Sequence, residues 1–323
     1  MKNLISSKTT KITNLLWDIF CVASIIGIWP RFIEPQCLIT KKLGLSIRNL
    51  PKSLKGFKVL QFSDLHLNEH VKNSFLEKLV KTIDALKPDL IVFTGDFLCY
   101  SELNDRERLH KLLCQFKAPH GCYAIFGNHD YEEYVSINDE GVYDVIENSS
   151  PSLIRGFKRL FKTTTLKKRI STRALTIGSH MPLIEMLATT PFNLLQNKTV
   201  GIVVNDAILN LCGCGEYMLG DFKPHVAFAN YDSIHPGIIL VHNPDAVPHL
   251  KDYPGDVVLC GHTHGGQVNL PWIGKKFTLL ENMQFKKGLF SLHEKWVYVN
   301  RGIGSVIPFR WLSPPELLLL TLE

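Results

Sequence analysis

The chain has 323 residues, 45% of them apolar and 20% charged, with a net charge of +6 and an isoelectric point near 8.8. That balance excludes general disorder and suits one large folded domain or two small ones. The positive excess suits acidic partners such as a phosphorylated substrate, nucleic acid or an anionic membrane; a modest balance of this sign also simply aids solubility.

Residues 1–50 read as an N-terminal apolar, membrane-associating segment. Leu15–Trp17 and Ile19–Trp29 are apolar, Asp18 interrupts them and Pro30 stops them. Roughly 15 residues fall short of the ~20 that a spanning helix needs. No clear small-residue cleavage site supports a signal peptide. Lys2, Lys8 and Lys11 precede the run, and Arg31, Lys41 and Lys42 follow it. The expectation is therefore a segment lying on, or marginally inserted into, an anionic leaflet, with a buried core helix as the alternative.

From Gly56 the pattern changes. Residues 57–62 (FKVLQF) read as a strand, and 73–86 as a helix with Leu76, Leu79, Val80, Ile83 and Leu86 at helical spacing, ended by Lys87-Pro88. Residues 89–94 (DLIVFT) read as a buried strand, 102–116 as a polar helix and 123–126 as a further strand. This alternation predicts a partly parallel sheet with covering helices. Strands are expected again at 199–204, 207–212, 238–242, 256–260, 296–300 and 316–322. The fold class expected is α/β: a two-sheet β-sandwich flanked by helices over 51–323.

Within that domain, 131–198 reads as an insertion. Between Arg155 and Arg173 the charged residues are all basic, with apolar residues at near-helical spacing. Arg155, Lys158 and Arg159 with Phe157 and Phe161 are the candidate membrane or lipid contacts; a solvated charged face is the alternative. The eight cysteines lack zinc-finger spacing and read as buried or idle thiols in a reducing cytoplasm.

The early strands and two later ones end in polar residues of one kind. Ser63-Asp64-Leu65-His66, Gly95-Asp96, Gly127-Asn128-His129-Asp130, His242-Asn243 and Gly261-His262-Thr263-His264 each follow an apolar run. One such end is an ordinary turn or cap; five in order are hard to explain as turns, and loops at strand ends of α/β sheets are where sites form. The Asp, His and Asn set without Cys favours divalent manganese, iron or zinc. Seven ligands are too many for one tetrahedral site and suit a pair of metals sharing one carboxylate. Asp96, alone on its loop, is the natural bridge. Such a pair would activate a water and clamp an in-line displacement.

The ordered motifs D-x-H, G-D, G-N-H-D, a later His and G-H-T-H resemble the calcineurin-like metallophosphoesterase superfamily over 57–323. The resemblance implies that Asp64, His66 and His264 hold one metal, that Asn128, His242 and His262 hold the second, and that Asp96 bridges them. It implies that His129 contacts the phosphoryl oxygen or protonates the leaving group, with Asp130 orienting it. His242-Asn243-Pro244-Asp245, the glycines after His264 and Asn300-Arg301-Gly302 resemble a bacterial branch that includes the UDP-2,3-diacylglucosamine pyrophosphatases of lipid A synthesis. That implies cleavage of a lipid-linked nucleotide to lipid X and UMP, two divalent metals with manganese foremost, and no specific nucleic-acid partner. It also implies a place at the cytoplasmic face of the inner membrane. Arg301 is a candidate phosphate contact or a structural loop residue. The alternatives are a broad phosphodiesterase or nuclease of the same fold, or a non-catalytic membrane-binding module.

Overall fold

The computed structural model describes residues 2–146, 164–269 and 280–323, with the side chains of 2–10 left aside. The candidate membrane contacts Arg155, Phe157, Lys158, Arg159 and Phe161 lie outside the described residues.

Two six-stranded sheets form the body. The first contains β1 (Ile39–Leu45), β2 (Lys58–Phe62), β3 (Leu90–Thr94), β4 (Cys122–Ile125), β7 (Phe192–Leu194) and β14 (Glu316–Leu322). Its order is β1-β14-β2-β3-β4-β7, parallel except where β14 meets β2. The second contains β8 (Lys198–Val204), β9 (Ala207–Gly213), β10 (Gly237–Leu240), β11 (Val257–Cys260), β12 (Gly288–Leu292) and β13 (Lys295–Val299). Its order is β12-β13-β11-β10-β9-β8, with a parallel centre and antiparallel flanks. A separate hairpin joins β5 (Val135–Ile137) to β6 (Tyr143–Val145).

The central strands are largely apolar because both of their faces are covered. Val59, Leu90, Val92 and Ile125 point between the sheets, where they meet Leu209, Leu211, Ile238, Leu240, Val257 and Leu259. Their alternate neighbours Leu60, Ile91 and Phe93 point outward and are covered by α2 (Asn73–Leu86) and α3 (Arg106–Leu113). α1 is the N-terminal helix Lys2–Ala23. Gln61 ties the layers near the strand ends, donating to Thr94 Oγ1 at 3.0 Å and to the Cys260 carbonyl at 2.9 Å.

The helix expected over 102–116 is shorter. It starts at Arg106, where the Asp105 carboxylate accepts the Arg108 N–H, and the preceding residues form turns. The N-terminal expectation also needs correction. Pro30 does not stop the helix: α1 continues as a widened π-helix over Ser24–Ile33, with the Glu34 N–H donating to the Trp29 carbonyl five residues back. The wider turn accommodates the amide that Pro30 lacks. The helical stretch Lys11–Gln36 has 26 residues, and its most apolar window of 18 residues is not buried in the protein. It is long and apolar enough to cross a membrane, whereas the sequence suggested a shorter run.

Much of the described part of 131–198 belongs to the body. Tyr131, Val135 and Tyr143 are buried, as are Leu183, Met186 and Leu187 on α5 (Met181–Leu187), which follows α4 (Thr172–Leu175); all join the core outside the first sheet. β7 extends that sheet beside β4.

Candidate metal centre

Five strand-end loops converge on one buried point. The β2 end supplies Asp64 and His66, the β3 end Asp96, and the β4 end Asn128 and His129. His242 follows β10, and His262 and His264 follow β11. Asp64, Asp96, His66, His129, Asn128 and His242 are all buried. Asp64, His66, Asp96, His262 and His264 hold φ between 42° and 68°, the left-handed region that non-glycine residues seldom adopt. Such backbones cost about 1–3 kcal/mol each and persist where surrounding contacts over-determine them.

The donor atoms cluster tightly. Asp96 Oδ2 lies 3.4 Å from His66 Nε2 and 3.2 Å from His242 Nε2. His264 Nε2 lies 3.0 Å from His66 Nε2 and 3.6 Å from Asp64 Oδ1. On the other side, His262 Nδ1 faces Asn128 Oδ1 at 3.0 Å and His242 Nε2 at 3.3 Å. Asp64 with His66 and His264, and Asp96 with His242 and His262, each bring their donor atoms close enough to share an ion.

Backbone carbonyls set the tautomers. His66 Nδ1 donates to the Leu98 carbonyl at 3.0 Å, and His242 Nδ1 to the Thr94 carbonyl at 2.7 Å. Both Nε2 atoms therefore point inward, toward carboxylate oxygens and other imidazoles. This is the outer-shell pattern of metal-binding histidines. Gly127 completes the cradle: a Cβ there would lie 2.2 Å from Asp96 Oδ1 and 2.6 Å from His242 Cε1. The residues present fit divalent cations of intermediate hardness.

Electrostatics agree. Burial holds His66, His264 and His129 below the ordinary imidazole value, and burial with the neighbouring His242 takes His262 down to about 3. These rings are neutral at pH 7, the form that coordinates. Burial works against a charged His242, but the Asp96 carboxylate outweighs it and raises the ring well above its ordinary value. Burial raises Asp64 to about 7, with His242 opposing and Asp96 adding to the rise.

His129 sits over this cluster, its ring centroid 4.5 Å from that of His66. Its Nδ1 accepts the Tyr100 N–H at 2.8 Å, which leaves the ring proton on Nε2. Tyr134 packs against it at 4.2 Å between centroids. Asp130, expected to orient His129, does something else. Its carboxylate accepts the N–H groups of Asp96, Leu98 and Gly127 at 2.7–3.0 Å, fixing the β3 and β4 loops to each other. Arg301 packs over Gly265 beside the His264 turn. Its Nε pairs with Glu316 at 3.1 Å, whose other oxygen accepts the Tyr298 hydroxyl at 2.6 Å.

Sequence reasoning overlooked Tyr100, Tyr134 and Arg310. The Leu98 and Thr94 carbonyls carry no side-chain signal at all. Glu216 is buried as well, and desolvation raises it to about 7 despite His242 nearby. The buried thiols Cys99 and Cys122 are pushed up to about 11 and about 12 by burial, which makes them inert at neutral pH.

A model of the calcineurin-like phosphoesterase family matches residues 57–266, and the chain belongs to that family. It is 41% identical over 325 residues to the UDP-2,3-diacylglucosamine pyrophosphatase LpxG of Chlamydia trachomatis serovar D, covering 96% of both chains. It is 38% identical over 304 residues to the protein of the same name from Chlamydia muridarum, covering 91% of this chain and 92% of that one. The uncharacterized metallophosphoesterase YkuE of Bacillus subtilis is 29% identical over 297 residues, covering 91% and 89%.

Proposed function

We propose that this chain hydrolyses the pyrophosphate of UDP-2,3-diacylglucosamine to lipid X and UMP, on a centre of two divalent metals. Asp64, His66 and His264 would hold one ion, Asn128, His242 and His262 the other, and Asp96 both. The observation that carries the phosphoesterase reading is the convergence of these donors on one point, with Asp96 Oδ2 within 3.4 Å of rings from both groups. The lipid-nucleotide substrate is supported by the two Chlamydia relatives, aligned over nearly their whole length.

When bound, such a pair supplies an activated water and neutralises phosphoryl oxygens. The chain's own residues do the rest. Asp130 locks the two loops that carry Asp96 and Asn128. His129 presents a neutral Nε2–H, held by Tyr100, to a phosphoryl or leaving-group oxygen. Arg301, its stem fixed by Glu316, would hold a substrate phosphate at the rim.

The helical stretch Lys11–Gln36 supports anchoring at the inner membrane, on the face where a nucleotide-activated lipid is made. In this reading 1–50 is the anchoring segment and 51–323 the catalytic domain, with Arg155, Phe157, Lys158, Arg159 and Phe161 of the insertion 131–198 as lipid contacts. Manganese is the metal proposed.

The test is turnover of UDP-2,3-diacylglucosamine by purified full-length protein with manganese, read as UMP and lipid X, beside Asp96→Ala. Wild-type protein that cleaves soluble aryl phosphodiesters but leaves this lipid intact would sink the substrate reading and keep the phosphoesterase.

A further inference from the structure

Arg310 is wholly buried, yet no carboxylate lies within ion-pair distance of it among the described residues. A buried guanidinium is expensive unless its donors are used. Here those of Nη1 and Nη2 go to backbone, while the buried Nε has no hydrogen-bond partner among the described residues. Nη1 donates to the Arg301 carbonyl at 3.0 Å and the Ser313 carbonyl at 2.9 Å. Nη2 donates to the Gly302 carbonyl at 3.2 Å and also to the Gly304 carbonyl.

The same Nη2 lies 3.3 Å from His264 Nδ1, on the side of the ring away from the donor cluster. Three residues on, Ser313 Oγ donates to the His264 carbonyl at 2.7 Å. His264 is thus held at its backbone by Ser313, with the Arg310 guanidinium against the far edge of its ring. It needs such a grip, because its φ of 51° is a conformation that the turn alone does not favour.

That segment is seated on the end of the apolar helix. The Arg310 N–H donates to the Pro30 carbonyl at 2.8 Å. The Ser313 N–H donates to Glu34 Oε1 at 2.5 Å, and the other Glu34 oxygen accepts the Trp29 indole N–H at 3.0 Å. Glu34 is itself buried. The chain then enters β1, whose first N–H bonds the Pro315 carbonyl.

We propose that Arg310 is a positioning residue for His264 and that Pro30–Glu34 completes its seat. The membrane-seeking helix and one wall of the metal centre are then a single mechanical unit, not a tether and an independent enzyme. The metal arm of the test rests on the dinuclear reading above; the structural arm does not.

Full-length Arg310→Met, Arg310→Lys and Glu34→Ala are compared with wild type in detergent. Crystal structures without metal should show the His262–Gly266 turn displaced in Arg310→Met, with His66, Asp96, Asn128 and His242 in place. Metal analysis with manganese should show one ion weakened at least tenfold and the other retained. Turnover should fall through kcat with KM little changed, and Arg310→Lys should recover part of the loss. Glu34→Ala should give a milder form of the same selective defect, and the Arg310→Met/Glu34→Ala double variant should be no worse than Arg310→Met alone.

An unmoved turn with both ions retained overturns the proposal. So does equal loss of both ions alongside a general fall in melting temperature, which marks a merely structural role. If Arg310→Met fails to fold, Glu34→Ala decides by the same criteria. If wild type binds fewer than two ions, the dinuclear reading fails, and the metal-free structures still decide on Arg310.

Discussion

His66 Nε2 and His264 Nε2 face each other at 3.0 Å, from residues 198 positions apart in the chain. The Leu98 carbonyl holds the His66 proton on the far nitrogen, so at least one of the two facing atoms is a bare lone pair. Asp64 and Asp96 are buried beside this contact, and two carboxylates so close are poorly compensated without a cation. Stripping metal should therefore destabilise the protein, and manganese should restore its melting temperature.

The size of that restoration depends on pH. Burial lifts Asp64 to about 7 in the metal-free fold, against an ordinary 3.8. The fold binds this proton more tightly than the unfolded chain does. The resulting stabilisation is fully present below about pH 4 and is lost as pH rises through about 7. A bound cation needs the carboxylate, so metal affinity should weaken by up to about tenfold for each pH unit below about 7. The manganese-induced rise in melting temperature should grow from about pH 5.5 to about pH 7.5. A shift that stays flat across that range would remove Asp64 from the ligand set.

Asp96→Asn keeps the shape of the side chain and removes its charge. Because Asp96 Oδ2 lies close to His66 and His242 together, both ions should be lost or weakened. Turnover should fall at least about 10²-fold, since removing one charge-stabilising group commonly costs 10²–10³. Retained stoichiometry of two would show that Asp96 does not bridge.

Gly127→Ala tests the cradle. The new methyl would stand 2.2 Å from Asp96 Oδ1, and Asp96 and His242 are both buried and hydrogen-bonded in place. Metal binding should be abolished while far-ultraviolet circular dichroism stays native. A fully active alanine variant would show that these loops do not close as described.

His129→Ala should lower kcat by about 10²–10⁴ with metal content intact, the usual range for a positioned proton donor. The loss should shrink for an aryl phosphodiester, whose nitrophenolate departs without a proton. Burial keeps His129 neutral, so it should contribute no limb to the pH–rate profile near 6.5. Equal losses on both substrates would assign His129 to phosphoryl binding instead.

The legible parts of the fold share one property. α2 could be bounded to the residue because Leu76, Leu79, Val80 and Ile83 are its buried stripe and Lys87, with φ of 47°, ends it. β3 and β11 could be read because both their faces are buried, which makes them apolar without interruption. β1 escaped because an edge strand is mostly exposed and carries Lys41 and Lys42; its partner β14 lies at the opposite end of the chain. β7 escaped because three residues are too few to show a period.

What the sequence determined by itself is the chemistry available at each strand end: an apolar run, a tight turn, then Asp, His or Asn. Those are local properties, set by side chains within a few residues of one another. Only the tertiary structure decided which ring nitrogens meet, which carbonyls orient them and that Asp130 clamps loops instead of His129. It alone seated Arg310 on the end of the apolar helix, through contacts such as Ser313 with Glu34, 279 residues apart. Backbone carbonyls and buried long-range contacts leave no periodic trace in a sequence, because packing against distant residues selects them.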